Sequence, residues 1–266
     1  MKTKPRTTRH ATATRIPDRR STVRHTTIAT LSRLLMVVAS VWLALSAVPA
    51  AATPAHLLWA EEVAMNIDPA HNVYGSNPTY LTWAGVHGAT AYTNRTECSA
   101  FVTSVLKQAY GWTDTDCNTW FGSSSPTAAT YHDAMVAGNQ FVAVPLLVSS
   151  VQSGDIMAVK YLDGTTTSTG HVMIATGPAS PRTATAPYVP GTTQYVVEVV
   201  DAAQSGHGPT DTRLRTDGTW QTGVGIGIMR LYADTTSAIV GYTWSTYSNS
   251  VYYDQSTRNL VVGRLP

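Results

Sequence analysis

The feature that most constrains the fold is a change of hydrophobic period near Val151. Before it, apolar residues recur at helical spacing; after it, they alternate. Leu57, Leu58, Val63, Ala64 and Ile67, with Glu61 and Glu62 on the outside, describe an amphipathic helix over 54–72 with Pro54 near its start. Ala100, Phe101, Val105 and Leu106 describe a second helix that begins from Thr96 as N-cap and closes at Gly111. A short third helix is expected over 126–136, with His132 on its surface. Beyond Val151 the segments 154–159, 171–176, 195–200, 223–231, 239–244 and 259–265 read as strands. Gly223, Gly225 and Gly227 alternate with Val224, Ile226 and Ile228, as in a strand with one face closely covered. Helices followed by strands indicate an α+β domain with five to six mainly antiparallel strands.

Residues 1–52 stand outside this pattern. Nine Lys or Arg face a single acid, Asp18, up to Arg33; an apolar run follows over 34–50 and ends in Ala50, Ala51 and Ala52. That order is the order of a secretory signal peptide, leaving 53–266 as one exported domain, secreted or held in the cell envelope, with no lasting membrane span. Arg19 and Arg20 faintly resemble a twin-arginine signal, although they lie far from the apolar run. The run falls short of the roughly 20 residues that a spanning helix needs. Without the leader nine basic and fifteen acidic residues remain, so the net charge passes from +2 to −6. The basic excess therefore belongs to targeting and gives no footprint for nucleic acid. The exported chain is expected to be a monomer.

Two cysteines occur, Cys98 and Cys117. An exported chain with an even count invites a disulfide, but a helix between the two would hold them roughly 20 Å apart. Cys98 falls in the first turn of its helix, where unpaired N–H groups and the helix dipole favour a thiolate. A thiolate that attacks an amide or ester carbonyl needs an imidazole to generate it and a third polar group to hold that imidazole. His171 opens one strand and Asp201 closes the next, so a hairpin brings them together. Glu198 is the fallback for the third role, on the opposite face three residues away. His207, in the polar cluster Ser205 to Arg213, competes with His171 as base, although a strand holds a ring more rigidly than a Gly-flanked loop does. No HExxH, paired CxxC or phosphate-binding glycine loop occurs, and no metal or other cofactor is expected. Tyr74, Tyr80, Trp83 and His87 lie in a polar loop and read equally as a substrate wall or a cap on the core.

Three motifs in order, Glu97-Cys98-Ser99-Ala100-Phe101-Val102, Ser153-Gly154-Asp155-Ile156 and Gly170-His171-Val172-Met173-Ile174 with Gly177, resemble the NlpC-type cell-wall cysteine peptidases, a papain-like group related to the CHAP amidases. The resemblance spans about 80 residues in the middle of the chain. It implies a papain-like fold with N-terminal helices packed on the sheet, and hydrolysis of peptide bonds in peptidoglycan stems by a metal-free thiol mechanism. Cys98 is then the nucleophile, His171 the base and Asp201 the orienting residue. Two other readings stay open: a secreted module that binds glycan or peptide without turnover, and a thiol acyltransferase or esterase.

Overall fold

The computed structural model describes residues 52–164 and 168–266, which fall in one compact unit. The leader read over 1–52 lies, apart from Ala52, outside the described residues. Among those that are described, no helix is long and apolar enough to cross a membrane.

The first helix, α1, covers Ala55–Asn66 and buries His56, Leu57, Ala60, Val63 and Ala64. Three short strands follow, β1 (Asn72–Tyr74), β2 (Tyr80–Thr82) and β3 (Thr93–Thr96), which form a separate sheet in the order β1-β3-β2. Next comes α2, Cys98–Tyr110, closed by Gly111 in the left-handed conformation. Its N-cap is Glu97, because Thr96 ends β3 and gives its hydroxyl to Asn94. Phe101, Val102, Val105 and Leu106 are fully buried and anchor α2, each burial stabilising by about 1.5–3 kcal/mol. Helix α3 (Asp114–Phe121) begins in a capping box between Thr113 and Asp116, a signal that loop-like composition concealed. Helix α4 (Ala128–Val136) starts from the Thr127 N-cap. His132 is buried on it, its Nε2 2.7 Å from Asn259 Oδ1, and not on the surface as its sequence context suggests.

The rest of the chain is sheet: β4 (Val142–Val144), β5 (Ile156–Tyr161), β6 (Gly170–Ala175), β7 (Ser180–Pro181), β8 (Thr193–Ala203), β9 (Gly223–Ala233), β10 (Ile239–Thr243), β11 (Tyr252–Asp254) and β12 (Arg258–Arg264). These nine strands make one sheet in the order β11-β10-β9-β8-β6-β5-β12-β4, with β7 beside β8. Its main ladders are antiparallel, as between β8 and β9 over eleven residue pairs.

The papain-like α+β arrangement, with N-terminal helices on five to six strands, is therefore corrected. Among the described residues the fold is mostly sheet, a nine-stranded half-barrel with a small second sheet and four α-helices. The cause is legible in one connection. Strand β11 lies at one end of the sheet and β12 near the other, yet Asp254 and Arg258 are four residues apart, a reach of at most about 14 Å. The sheet must curl until these ends meet. Alternation then buries both faces: Ile156, Ala158, Val172, Ile174 and Val200 pack under the helices, whereas Met157, Val159, Met173, Val197 and Val199 fill the inside of the curl. An alternating pattern shows that one face is covered, but not that the sheet itself covers the other.

Candidate active site

Cys98 is the first residue of α2 and is 6% exposed. Phe101 N–H makes the first bond back to the Glu97 carbonyl, so the N–H groups before it are free of helical partners. Opposite lies β6, whose first residue, Gly170, has φ +151° and would place a Cβ against the Val159 carbonyl oxygen. Only glycine lets the strand start there, and His171 follows it. In the β6–β8 ladder Ile174 pairs with Val200, which sets His171 and Asp201 as diagonal neighbours on one face. His171 Nε2 lies 2.5 Å from Asp201 Oδ2. The other ring nitrogen is left for Cys98, which lines the same cavity and whose thiol is lowered by the imidazole. The three residues expected to act together do meet.

Burial pushes the Cys98 thiol up, but the His171 charge and hydrogen bond, with the Val172 backbone N–H, outweigh it and bring the thiol below its ordinary value. Burial alone would lower His171; the Cys98 sulfur and the Asp201 carboxylate push it up to about 10. The two shifts run toward the same ionised form, a thiolate facing an imidazolium. Asp201 is fully buried, which by itself would raise its carboxyl, yet His207 and Arg213 together with the hydrogen bond from His171 hold it well below the usual carboxylate range.

The support for Asp201 comes from the polar cluster between β8 and β9. His207 Nε2 lies 2.8 Å from Asp201 Oδ2 and its Nδ1 2.6 Å from the Trp244 carbonyl, so both ring nitrogens face oxygens. His207 therefore steadies Asp201 and does not replace His171 as base. Arg213 Nη1 stands 2.9 Å from Asp201 Oδ1 at an oblique angle, while its Nε and Nη2 donate to both oxygens of Asp211 at 2.9 and 2.8 Å. Asp211 also accepts from the His207 backbone N–H at 2.7 Å. The alternating glycines of β9 make room for this layer: a Cβ at Gly225 would meet Arg213, and one at Gly227 would meet Asp211 and His207. Glu198 lies on the exposed side and accepts from the Thr176 hydroxyl at 2.7 Å, which removes it from the third role. Asp155, in the second motif, is buried in a two-pronged ion pair with Arg264 at 2.7 and 2.8 Å and fastens the last strand.

The chain is similar to uncharacterized protein R653 of Acanthamoeba polyphaga mimivirus, 28% identical over 225 residues that take in 80% of this chain and 96% of the viral one. No family model matches the chain, and no solved structure matches it.

Several neighbours of the sulfur were not singled out by the sequence. Tyr74, read as one of several loop aromatics, is carried by β1, which pairs with β3 through Tyr74 and Thr96. Asn72 bolts that small sheet to β9 by exchanging two 2.8 Å hydrogen bonds with Val224. The Tyr74 ring is thereby held in the cavity wall beside Cys98, and burial and the adjacent sulfur raise its hydroxyl, so it stays protonated. Trp244 meets the His171 ring edge-on at 5.1 Å between centroids. A cavity of about 720 Å³ opens over Cys98, Ser99 and His171, walled by Tyr74, Tyr161, Trp244 and Arg258. Cys98 and Cys117 are both free thiols.

His171, Asp201 and His207 are also the one group of donors among the described residues placed to hold a metal ion, their ligand atoms within 4.8 Å of one another. Their 2.5 and 2.8 Å contacts are shorter than the roughly 3.3 Å between ligand atoms around a tetrahedral zinc. The donors are thus spent on sharing protons with each other.

Proposed function

We propose that the chain is a thiol hydrolase that cleaves an amide bond. The single observation carrying this reading is that Cys98 and His171 face one cavity of about 720 Å³, with His171 backed by buried Asp201. That volume suits a short peptide or drug-sized group. The Cys98 sulfur attacks the carbonyl carbon. The developing oxyanion is received by the N–H groups at the start of α2, which have no helical partners, with the Tyr74 hydroxyl in the cavity wall beside them. His171 then gives its proton to the leaving amine, and water, deprotonated by the same ring, releases the acyl group. Asp201 keeps Nε2 engaged so that the other nitrogen faces the sulfur throughout.

The motifs that resemble NlpC-type peptidases favour the peptide stems of peptidoglycan as substrate, and the leader pattern favours action outside the cell. The test is turnover of muropeptide fragments by the exported chain and by Cys98→Ser. Hydrolysis by the parent protein and a loss of at least about 10³-fold in the variant support the reading. Full activity in Cys98→Ser removes the sulfur from the mechanism.

A further inference from the structure

We propose that Arg258 reads a carboxylate on the substrate, so that the site takes amides carrying a free carboxylate close to the bond that is cut. The inference rests on the thiol-hydrolase reading and names its substrate class.

Arg258 opens β12 at the seam where the curled sheet meets itself. Its guanidinium carbon lies 4.1 Å from the ring centre of Tyr161 on one side and 3.9 Å from that of Tyr253 on the other. Two faces are thus occupied, and the plane is fixed. Its Nε donates to Asp163 Oδ2 at 3.1 Å, which fixes the rotation within that plane. The side chain is only 13% exposed, yet it forms part of the wall of the cavity that holds Cys98. Its two terminal nitrogens donate to no protein acceptor among the described residues. An arginine whose only task was to clamp β11 to β12 would spend its parallel N–H pair on a carboxylate, as Arg213 does with Asp211. Here Nε alone is spent, and the planar pair suited to two carboxylate oxygens is left for a ligand.

The rest of the cavity gives this direction. Tyr161 lines the same cavity as Cys98 and carries the Arg258 guanidinium 4.1 Å from its ring centre, so the sulfur and the guanidinium face one space. Glu97, exposed next to the sulfur, adds negative charge to the other wall. An anionic group entering the cavity is repelled at Glu97 and drawn toward Arg258, which orients the acyl chain across the thiolate. The guanidinium holds its partner before any bond changes, so Arg258 is a specificity residue.

Alkylation of Cys98 tests this without the natural substrate, because iodoacetate and iodoacetamide differ only by a carboxylate in place of an amide. In the unmodified protein near pH 7, the ratio of the iodoacetate rate to the iodoacetamide rate is expected to exceed that of a small free thiol by about 10-fold, as one charge-assisted contact supplies. The double variant Arg258→Met, Asp163→Asn conserves the charge of the pair; it is expected to lose this preference while keeping its iodoacetamide rate within about two-fold. Glutarate is expected to protect Cys98 of the unmodified protein from iodoacetamide, and neutral glutaramide is not, which needs no variant to fold. An unchanged ratio in the double variant, or no protection by glutarate, overturns the role of Arg258. A Cys98 that neither reagent modifies instead removes the reactive thiol on which the whole site rests.

Discussion

Cys98 and Cys117 are both buried, both helical and both reduced, yet their surroundings drive them in opposite directions. Burial raises each thiol. At the start of α2 the His171 charge, its hydrogen bond and the Val172 N–H reverse that effect. Inside α3, Lys107 offsets burial only in part, Asp114 and Asp116 add to it, and Cys117 stays above its ordinary value. Desolvation is common to the two; the paired cation is not. A place near a helix start therefore does not make a reactive cysteine, and the counter-charge that tertiary structure brings across from β6 does.

The largest expected contrast follows directly. Near neutral pH iodoacetamide should modify Cys98 at least about 100-fold faster than Cys117 in the folded protein, read by peptide mass mapping, and Cys117→Ser should leave turnover within about two-fold. Equal labelling of the two would erase the distinction between the helices.

Asp201→Asn sharpens the same comparison by removing what holds His171. Turnover is expected to fall on the order of 10³-fold, with iodoacetamide reactivity at neutral pH reduced as well. Stability is expected to fall by about 3 kcal/mol, because Arg213 loses a buried counter-charge and His207 its carboxylate partner. The pH dependence has a definite sign. Asp201 is depressed in the folded state, so its stabilisation is in place above about pH 4 and is lost as pH falls through the folded value. The variant should flatten that acid limb of a pH–stability curve. An unchanged acid limb would mean that the carboxylate is not the anchor.

His171 gives a smaller, separable effect. Its proton is held up to about pH 10. Hydrolysis needs that proton for the leaving amine, so turnover should decline as pH rises through about 10, while alkylation, which needs only the thiolate, should persist. Parallel decline of the two would contradict the assignment of acid and nucleophile.

How much of this was legible in the sequence depends on distance along the chain. Cys98, His171 and Asp201 were readable because each sits at an element boundary that local pattern reveals: a helix start, a strand start after glycine, a strand end. The nine-stranded curl was not, because β1, β2, β4, β7 and β11 are two to three residues long, too short for any period to register. Nor was the role of His207. Its partners, the Trp244 carbonyl and Asp201, lie 37 and 6 residues away, and only the folding of the loop onto β9 joins them. The alternating glycines did signal a covered face; that the cover is an ion-paired layer and not apolar packing came from the three-dimensional contacts of Asp211 and Arg213. Arg258 gave no local signal, since its two aromatic neighbours come from β5 and β11.

The smallest expected effect tests that covered face from both sides. Gly227→Ala puts a methyl group against the Asp211 carboxylate and the His207 Cβ, neither of which can retreat, because Arg213 grips one and Trp244 and Asp201 grip the other. Overpacking of this kind costs about 1–3 kcal/mol. The displacement reaches His171 only through Asp201, so turnover should drop by no more than about 10-fold and the turnover-against-pH profile should shift at its alkaline side, where the His171 proton is read. Glu198→Gln, on the opposite face of β8 beside Thr176, changes a carboxylate that touches nothing in the site and should leave turnover within about two-fold. If the two variants behave alike, the glycine layer does not transmit to the site, and the polar cluster behind Asp201 serves the fold alone.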